Sequence, residues 1–261
     1  MPVLDRFRLD GRAALVTGAG RGIGEGIALA FAEAGADVAL SARTQAELER
    51  VAERVRQLGR RAVVLPADIG RVEVIGPIVD RAVAELGGLD VLANVAGNQR
   101  RRPLLDVTLE DWNYIMDVQL RGAFFVAQAA ARAMRQRGRG KIVHIASMTS
   151  YRGFQDIGLY GMAKTAVVGM VRYQALEWAR EGIQVNAIAP GWIETPMTAT
   201  MQPDRRRWVC EHVPQGKYGL PEDVAHLAVY LASPASDYCT GQTFPVDGGF
   251  LAGNPWPSLT S

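Results

Sequence analysis

Short apolar runs alternate along this chain with longer stretches whose apolar positions recur every three or four residues. The runs at residues 13–16, 37–41, 62–65, 89–93, 141–146, 184–188 and 243–246 predict seven strands. Strands that are apolar toward both faces belong in a parallel sheet covered on both sides. The amphipathic stretches predict helices up to about Ala34, over 45–58, about 72–86, 108–137, through Tyr160 and Lys164 to about 180, and from Pro221 onward. Thr108 with Asp111 three residues on suits a helix N-cap, and Pro221 suits a first helical turn. With no linker and no repeat, the alternation predicts one doubly wound α/β domain over residues 1–261. The pattern weakens only between about Thr195 and Gly219, where Pro196, Pro203 and Pro214 surround a polar stretch from Asp204 to Trp208. That segment is expected to be an irregular, mobile lid, with Arg205 to Arg207 facing solvent.

Composition adds exclusions. A chain of 261 residues with 48% hydrophobic and 21% charged residues is ordinary for a globular protein, and a net charge of +2 makes no case for nucleic acid or a membrane surface. The first seven residues contain no apolar signal core, and no stretch approaches the 18 or so uninterrupted apolar residues of a membrane span. A cytoplasmic protein is expected. The two cysteines, Cys210 and Cys239, lack metal-ligand spacing and read as reduced thiols. Of the three histidines, His144 is expected to pack in its strand, while His212 and His226 show no ligand pattern, so no metal is expected.

Two stretches carry chemistry. The first is the glycine cluster Gly18-Ala19-Gly20-Arg21-Gly22-Ile23-Gly24, set between a strand and a helix. Glycines there open backbone angles closed to other residues and let a pyrophosphate approach the helix N-terminus, whose free N–H groups favour anions. The second begins at Ser147, at the end of a strand, and enters a helix carrying Tyr160 and Lys164. Four residues apart, the phenol and the ammonium share a helix face. At an effective dielectric of about 20 and a separation of about 4 Å their attraction is about 4 kcal/mol, roughly three pKa units in favour of the phenolate. The Ser147 hydroxyl is placed to hydrogen-bond a substrate oxygen.

With the glycine turn, Asn94-Val95-Ala96-Gly97, Ser147, Tyr160 with Lys164, and Pro190-Gly191 in this order, the chain resembles the short-chain dehydrogenase/reductase family from about Leu9 to Gly249. The resemblance implies a Rossmann-type fold, a nicotinamide cofactor and reversible hydride transfer to a carbonyl carbon. By position, Tyr160 would exchange the proton, Ser147 would orient the substrate oxygen, and Lys164 would hold the ribose hydroxyls and lower the tyrosine pKa. Gln119 stands where the family has an asparagine, whose kinked backbone holds a water linking the lysine to solvent; the expectation is that this geometry survives. Asp68 with Ile69, Asn94 with Ala96 and Gly97, and Ile193 with Thr195 after Pro190-Gly191 match further cofactor positions. The family is commonly tetrameric, so a homotetramer is implied, with Trp256 reaching a neighbour's site.

Charge argues for the phosphorylated cofactor. The second strand ends at Ala42-Arg43 with no carboxylate, and Arg21 in the glycine turn flanks the same place. Two guanidiniums suit a 2′-phosphate, so NADP(H) is expected over NAD(H). Three arginines, Arg100, Arg101 and Arg102, follow the turn after the fourth strand. They read either as a solvated run or, through Arg101 with Arg152 as a second candidate, as a site for a substrate carboxylate. This segment, Ser147-Met148-Thr149-Ser150 and the ending Asp247-Gly248-Gly249-Phe250-Leu251-Ala252 look most like the gluconate and deoxygluconate dehydrogenases of the family. A keto sugar acid is therefore the expected substrate. A 3-oxoacyl thioester or other ketone is the alternative, and a cofactor-binding regulatory protein without catalysis is a remote one.

Overall fold

A computed structural model describes residues 2–253, and Trp256 lies outside the described residues. Seven strands form one sheet: β1 (Ala13–Thr17), β2 (Asp37–Ala42), β3 (Ala62–Pro66), β4 (Val91–Asn94), β5 (Gly140–Ile145), β6 (Ile183–Pro190) and β7 (Thr243–Val246). Their order is β3-β2-β1-β4-β5-β6-β7, and every pair is parallel. The main helices are α1 (Gly22–Glu33), α2 (Gln45–Gln57), α3 (Ile75–Leu86), α4 (Leu109–Met116), α5 (Ala123–Gln136) and α6 (Gly158–Trp178). After β6 come α7 (Pro196–Ala199), α8 (Pro203–His212) and α9 (Pro221–Ala232).

The period-2 alternation of strand side chains divides the core. Leu15, Leu92 and Ile142 face a layer of Ile78, Val126, Val167 and Val171 from α3, α5 and α6. Ala14, Val16 and Val143 face the opposite layer, where Ile27, Phe31, Leu48, Val51 and Val224 come from α1, α2 and α9. The architecture is the doubly wound parallel sheet expected, with helices on both faces. No helix among the described residues is long and apolar enough to cross a membrane.

Two local differences matter for the site. The helix expected over 108–137 is interrupted by a π-helical turn, Asp117–Gly122, between α4 and α5. The segment expected to be irregular holds two helices instead, because Pro196 and Pro203 each occupy a first helical turn, where the missing N–H costs nothing. Chain order changes direction between β1 and β4, and their register sets Thr17 beside Asn94. In open parallel sheets the crevice above such a switch point, at the carboxyl ends of the strands, is where ligands bind.

Candidate active site

The turn from β1 to α1 is shaped by what a side chain would strike. Gly18 has φ +67°, and a Cβ there would lie 2.7 Å from the Ala96 Cα, so the turn packs against the Ala96-Gly97 backbone. A Cβ on Gly24 would collide with the Gly18 carbonyl, which lets α1 begin directly under the turn. Gly22 has φ +58° and approaches the Thr195 side chain, which brings the segment after β6 to the same place. The Thr17 hydroxyl accepts from the Val95 and Ala96 amides at 3.0 and 3.1 Å and donates to Asn94 Oδ1 at 3.0 Å, locking the two loops together. Arg21 stands at the N-cap of α1 without a side-chain hydrogen bond to the first amides of the helix. An open amide end above glycines is an anion cradle, and it fits a dinucleotide pyrophosphate.

Other sequence-predicted positions surround this cradle. Asp68 Oδ1 accepts from the Gly70 amide at 3.0 Å, fixing the turn after β3, and Ile69 is buried beside it. Asn94 Nδ2 donates to the Ala123 carbonyl at 2.7 Å and so ties β4 to α5. Pro190 ends β6, Gly191 is pressed against Asp247 with a Cβ position 2.7 Å from its Cα, and buried Ile193 bridges to Gly219.

At the far end of the cradle the structure corrects one expectation. A carboxylate does stand near Ala42, supplied by α2: Glu47 lies over Gly20, whose Cβ position is 2.9 Å from Glu47 Oε2 and 3.8 Å from the Ala42 Cβ. Glu47 Oε1 is 3.7 Å from Arg21 Nη1. Arg50 and Arg54 are both held by Glu25, at 2.7 and 2.5 Å, whereas exposed Arg43 has no ion pair among the described residues.

The catalytic candidates converge where β5 ends against α6. Ser147 Oγ accepts from the Thr149 amide at 3.1 Å, which turns the chain away from the sheet and holds the hydroxyl at its edge. Lys164 is buried, and its Nζ donates to the Ile145 carbonyl at 2.6 Å and lies 5.8 Å from the Tyr160 ring centre. Burial of the charged form brings the Lys164 pKa down to about 7. Burial also pushes the Tyr160 phenol above its ordinary value, against the opposing pull of the neighbouring Ser147 hydroxyl. The ammonium thus lies on the same helix face as the phenol, over its ring, while its hydrogen bond goes to a backbone carbonyl.

Gln119 sits in the π-helical turn, and its Nε2 donates to the Asn98 carbonyl at 2.5 Å. Gln119 Oε1 and Asn98 Oδ1 are buried without a partner among the described residues. Buried acceptors left open in this way are the customary holders of an ordered water.

Of the three arginines after β4, two are committed. Arg100 reaches Asp111 Oδ1 at 2.7 Å and lies 4.4 Å from the Tyr114 ring centre, and Arg102 reaches Asp111 Oδ2 at 2.7 Å. The Asp111 carboxyl is drawn down to about 2, chiefly by the Arg100 hydrogen bond. Arg101 is exposed and has no ion pair among the described residues. The Arg102 amide donates to the Asp156 carbonyl at 2.7 Å, and Leu104 packs on Gly158, so this loop lies against the start of α6 near Tyr160. Arg152 stacks on Phe250, 4.8 Å from its ring centre.

The segment after β6 closes the same side. Phe250, Phe154 and Trp192 form an aromatic cluster with ring centres 5.9 Å apart in successive pairs, packed with Val209 and Tyr218. Arg206, expected in solvent, binds Glu194 and lies 4.5 Å from the Tyr218 ring centre, while Arg205 and Arg207 are exposed. Sequence reasoning missed Glu47, the double role of Asp111 and this cluster. Only Asp111 carried a signal, as the capping residue opposite Thr108, and the capping box is present. No group of side chains suited to a metal occurs among the described residues.

A doubly wound sheet with an anion cradle at its switch point and a serine, tyrosine and lysine at its edge defines a Rossmann-type oxidoreductase. The chain belongs to the short-chain dehydrogenase/reductase family, enzymes acting on CH–OH and C=O groups. A family model described as enoyl-(acyl carrier protein) reductase matches residues 18–251. The chain is 42% identical to the 2-dehydro-3-deoxy-D-gluconate 5-dehydrogenase of Escherichia coli (strain K12), covering 96% of this chain and 99% of that protein. It is 38% identical to the gluconate 5-dehydrogenase of Gluconobacter oxydans, covering 94% and 96%. Among solved structures, a gluconate 5-dehydrogenase from Burkholderia cenocepacia in complex with NADP and tartrate superposes with a TM-score of 0.92 at 40% identity, covering 96% of this chain and 99% of that one.

Proposed function

We propose that this enzyme is NADP(H)-dependent and interconverts a secondary alcohol and ketone on a sugar acid of the keto-gluconate type. The cofactor supplies or accepts the hydride; the chain's own groups bind, orient and move the proton. Tyr160 gives its phenolic proton to the carbonyl oxygen in reduction and takes it back in oxidation. Ser147 orients that oxygen, Lys164 holds the ribose and favours the phenolate, and Gln119 keeps a water within reach of the lysine. Gly18, Gly22, Ile23, Gly24, Asp68, Ile69, Asn94, Ala96, Gly97, Pro190, Gly191, Ile193 and Thr195 hold the dinucleotide, with Arg43 and Arg21 facing the 2′-phosphate.

The observation that carries the substrate class is the Arg101 guanidinium, exposed in the loop after β4 and without an ion pair among the described residues. Asp111 neutralises Arg100 and Arg102 and leaves Arg101 for an incoming carboxylate. The sugar-acid names of the relatives and the tartrate bound by the Burkholderia enzyme agree with that reading. Arg101→Ala is expected to raise KM for an acidic keto sugar about 10- to 100-fold, the range for losing one charged contact, with kcat changed less. An unchanged KM removes the carboxylate role.

The same proposal includes one domain whose segment at about 195–219 closes over substrate, with the Arg206–Glu194 contact as its anchor. It also includes a cytoplasmic homotetramer, in which the exposed apolar side chains of α4, α5 and α6 meet a second copy.

A further inference from the structure

The nucleotide end of the cradle contains opposed charges. Arg43 and Arg21 offer positive charge beside Ala42, while Glu47, in the first turn of α2, sets a carboxylate over Gly20 and within reach of Arg21. Arg50 and Arg54 stand nearby but are bound to Glu25, and Arg50 also donates to the Gly20 carbonyl at 2.9 Å, which fixes the backbone under Glu47. Glu47 is about one-third exposed and makes no other ion pair among the described residues.

We propose that Glu47 sets the degree of discrimination between the two nicotinamide nucleotides, a reading that rests on the cofactor assignment above. A phosphorylated ribose brings negative charge to this ledge, and Glu47 opposes it while drawing part of the charge of Arg21. An unphosphorylated ribose brings a hydroxyl, which donates to the same carboxylate. Glu47 therefore weakens binding of one nucleotide and strengthens binding of the other, so the protein uses both with only a modest preference for NADP(H). A substitution that keeps the shape and removes the charge separates the two effects.

The test is titration of the purified protein and its Glu47→Gln variant with NADPH and with NADH, in the absence of substrate, following reduced-nicotinamide fluorescence. The variant is expected to bind NADPH several-fold more tightly and NADH several-fold more weakly, moving the ratio of dissociation constants about tenfold toward NADPH. Opposite movement of the two constants is the signature, because a loosened turn weakens both. A ratio changed less than twofold, a shift toward NADH, or joint weakening overturns the proposal while leaving the cofactor assignment in place. Failure of either nucleotide to bind the parent protein overturns that assignment as well. Arg43→Ala provides the opposing control, with a shift of the ratio toward NADH.

Discussion

A phenol that exchanges a proton with a substrate oxygen near neutral pH needs positive charge close by when it ionises. In the fold as it stands, burial favours the neutral phenol of Tyr160 and brings the Lys164 ammonium down to about 7. The lysine uses one N–H on the Ile145 carbonyl and keeps two donors for other partners. If Tyr160 is the proton donor, Tyr160→Phe lowers kcat by about 100- to 10,000-fold, the span of general acid catalysis. Nucleotide affinity, measured by fluorescence titration, is expected to stay within about twofold. Turnover close to that of the parent removes the role. The helical spacing made the shared face of Tyr160 and Lys164 legible in the sequence. The rotation of Nζ toward a backbone carbonyl was not, because it depends on β5, which packs on α6 from outside its own sequence neighbourhood. Glu47 was hidden for a similar reason: more than twenty residues separate it from the turn it overlies, and only the crossing of α2 brings it there.

At the scale of elements, the decisive features are small departures from regular periods. The π-helical turn at Asp117–Gly122 leaves the amphipathic pattern of 108–137 nearly unaltered, so the sequence reads as one helix. Gly122 permits the departure, since a Cβ there would clash with the Ile69 and Asp117 carbonyls. Across the sheet, His144 on β5 pairs with Gln174 on α6 at 3.0 Å and faces Asn94 on β4 at 3.5 Å. Burial lowers the His144 pKa from 6.5 to about 4. In that window the unfolded chain binds a proton that the fold excludes, so stability is intact above about pH 6.5 and falls as the pH drops toward about 4. The full loss is about 3 kcal/mol, from the shift at 1.36 kcal/mol per pH unit. Urea unfolding between pH 4 and 7 is expected to show a shallower pH dependence in His144→Asn than in the parent. Equal slopes contradict the assignment. The strands themselves were legible because each is flanked by turn residues and is apolar on both faces; the short helices α7 and α8 were not, because their prolines read equally well as irregular chain.

At the scale of the molecule, the outer surface of α4, α5 and α6 exposes several large apolar side chains. Trp112, Phe124, Tyr173 and Leu176 are exposed there, and the surface is scored by a groove of about 1060 Å³. An apolar face of this extent is the usual mark of association, and a two-fold pairing of α5 and α6 with their copies would cover it. For the proposed tetramer, replacing Leu176 with Asp and Tyr173 with Arg is expected to halve the mass measured by light scattering without changing the far-ultraviolet circular dichroism. An unchanged mass places the interface elsewhere. Assembly and substrate are the levels the sequence conveys least, since both depend on surfaces assembled from distant segments: Arg101 stands out only once Asp111 is seen to occupy its two neighbours.

The most direct test of the account is oxidation of NADPH by the purified protein against 5-keto-D-gluconate, 3-keto-2-deoxygluconate, an acetoacetyl thioester and an uncharged diketone, repeated with NADH. The highest kcat/KM is expected for a keto sugar acid with NADPH, with lower but measurable turnover of the same acid with NADH. A higher kcat/KM for the thioester or the neutral diketone contradicts it: the proton-transfer assignment would stand, and the carboxylate site at Arg101 would not.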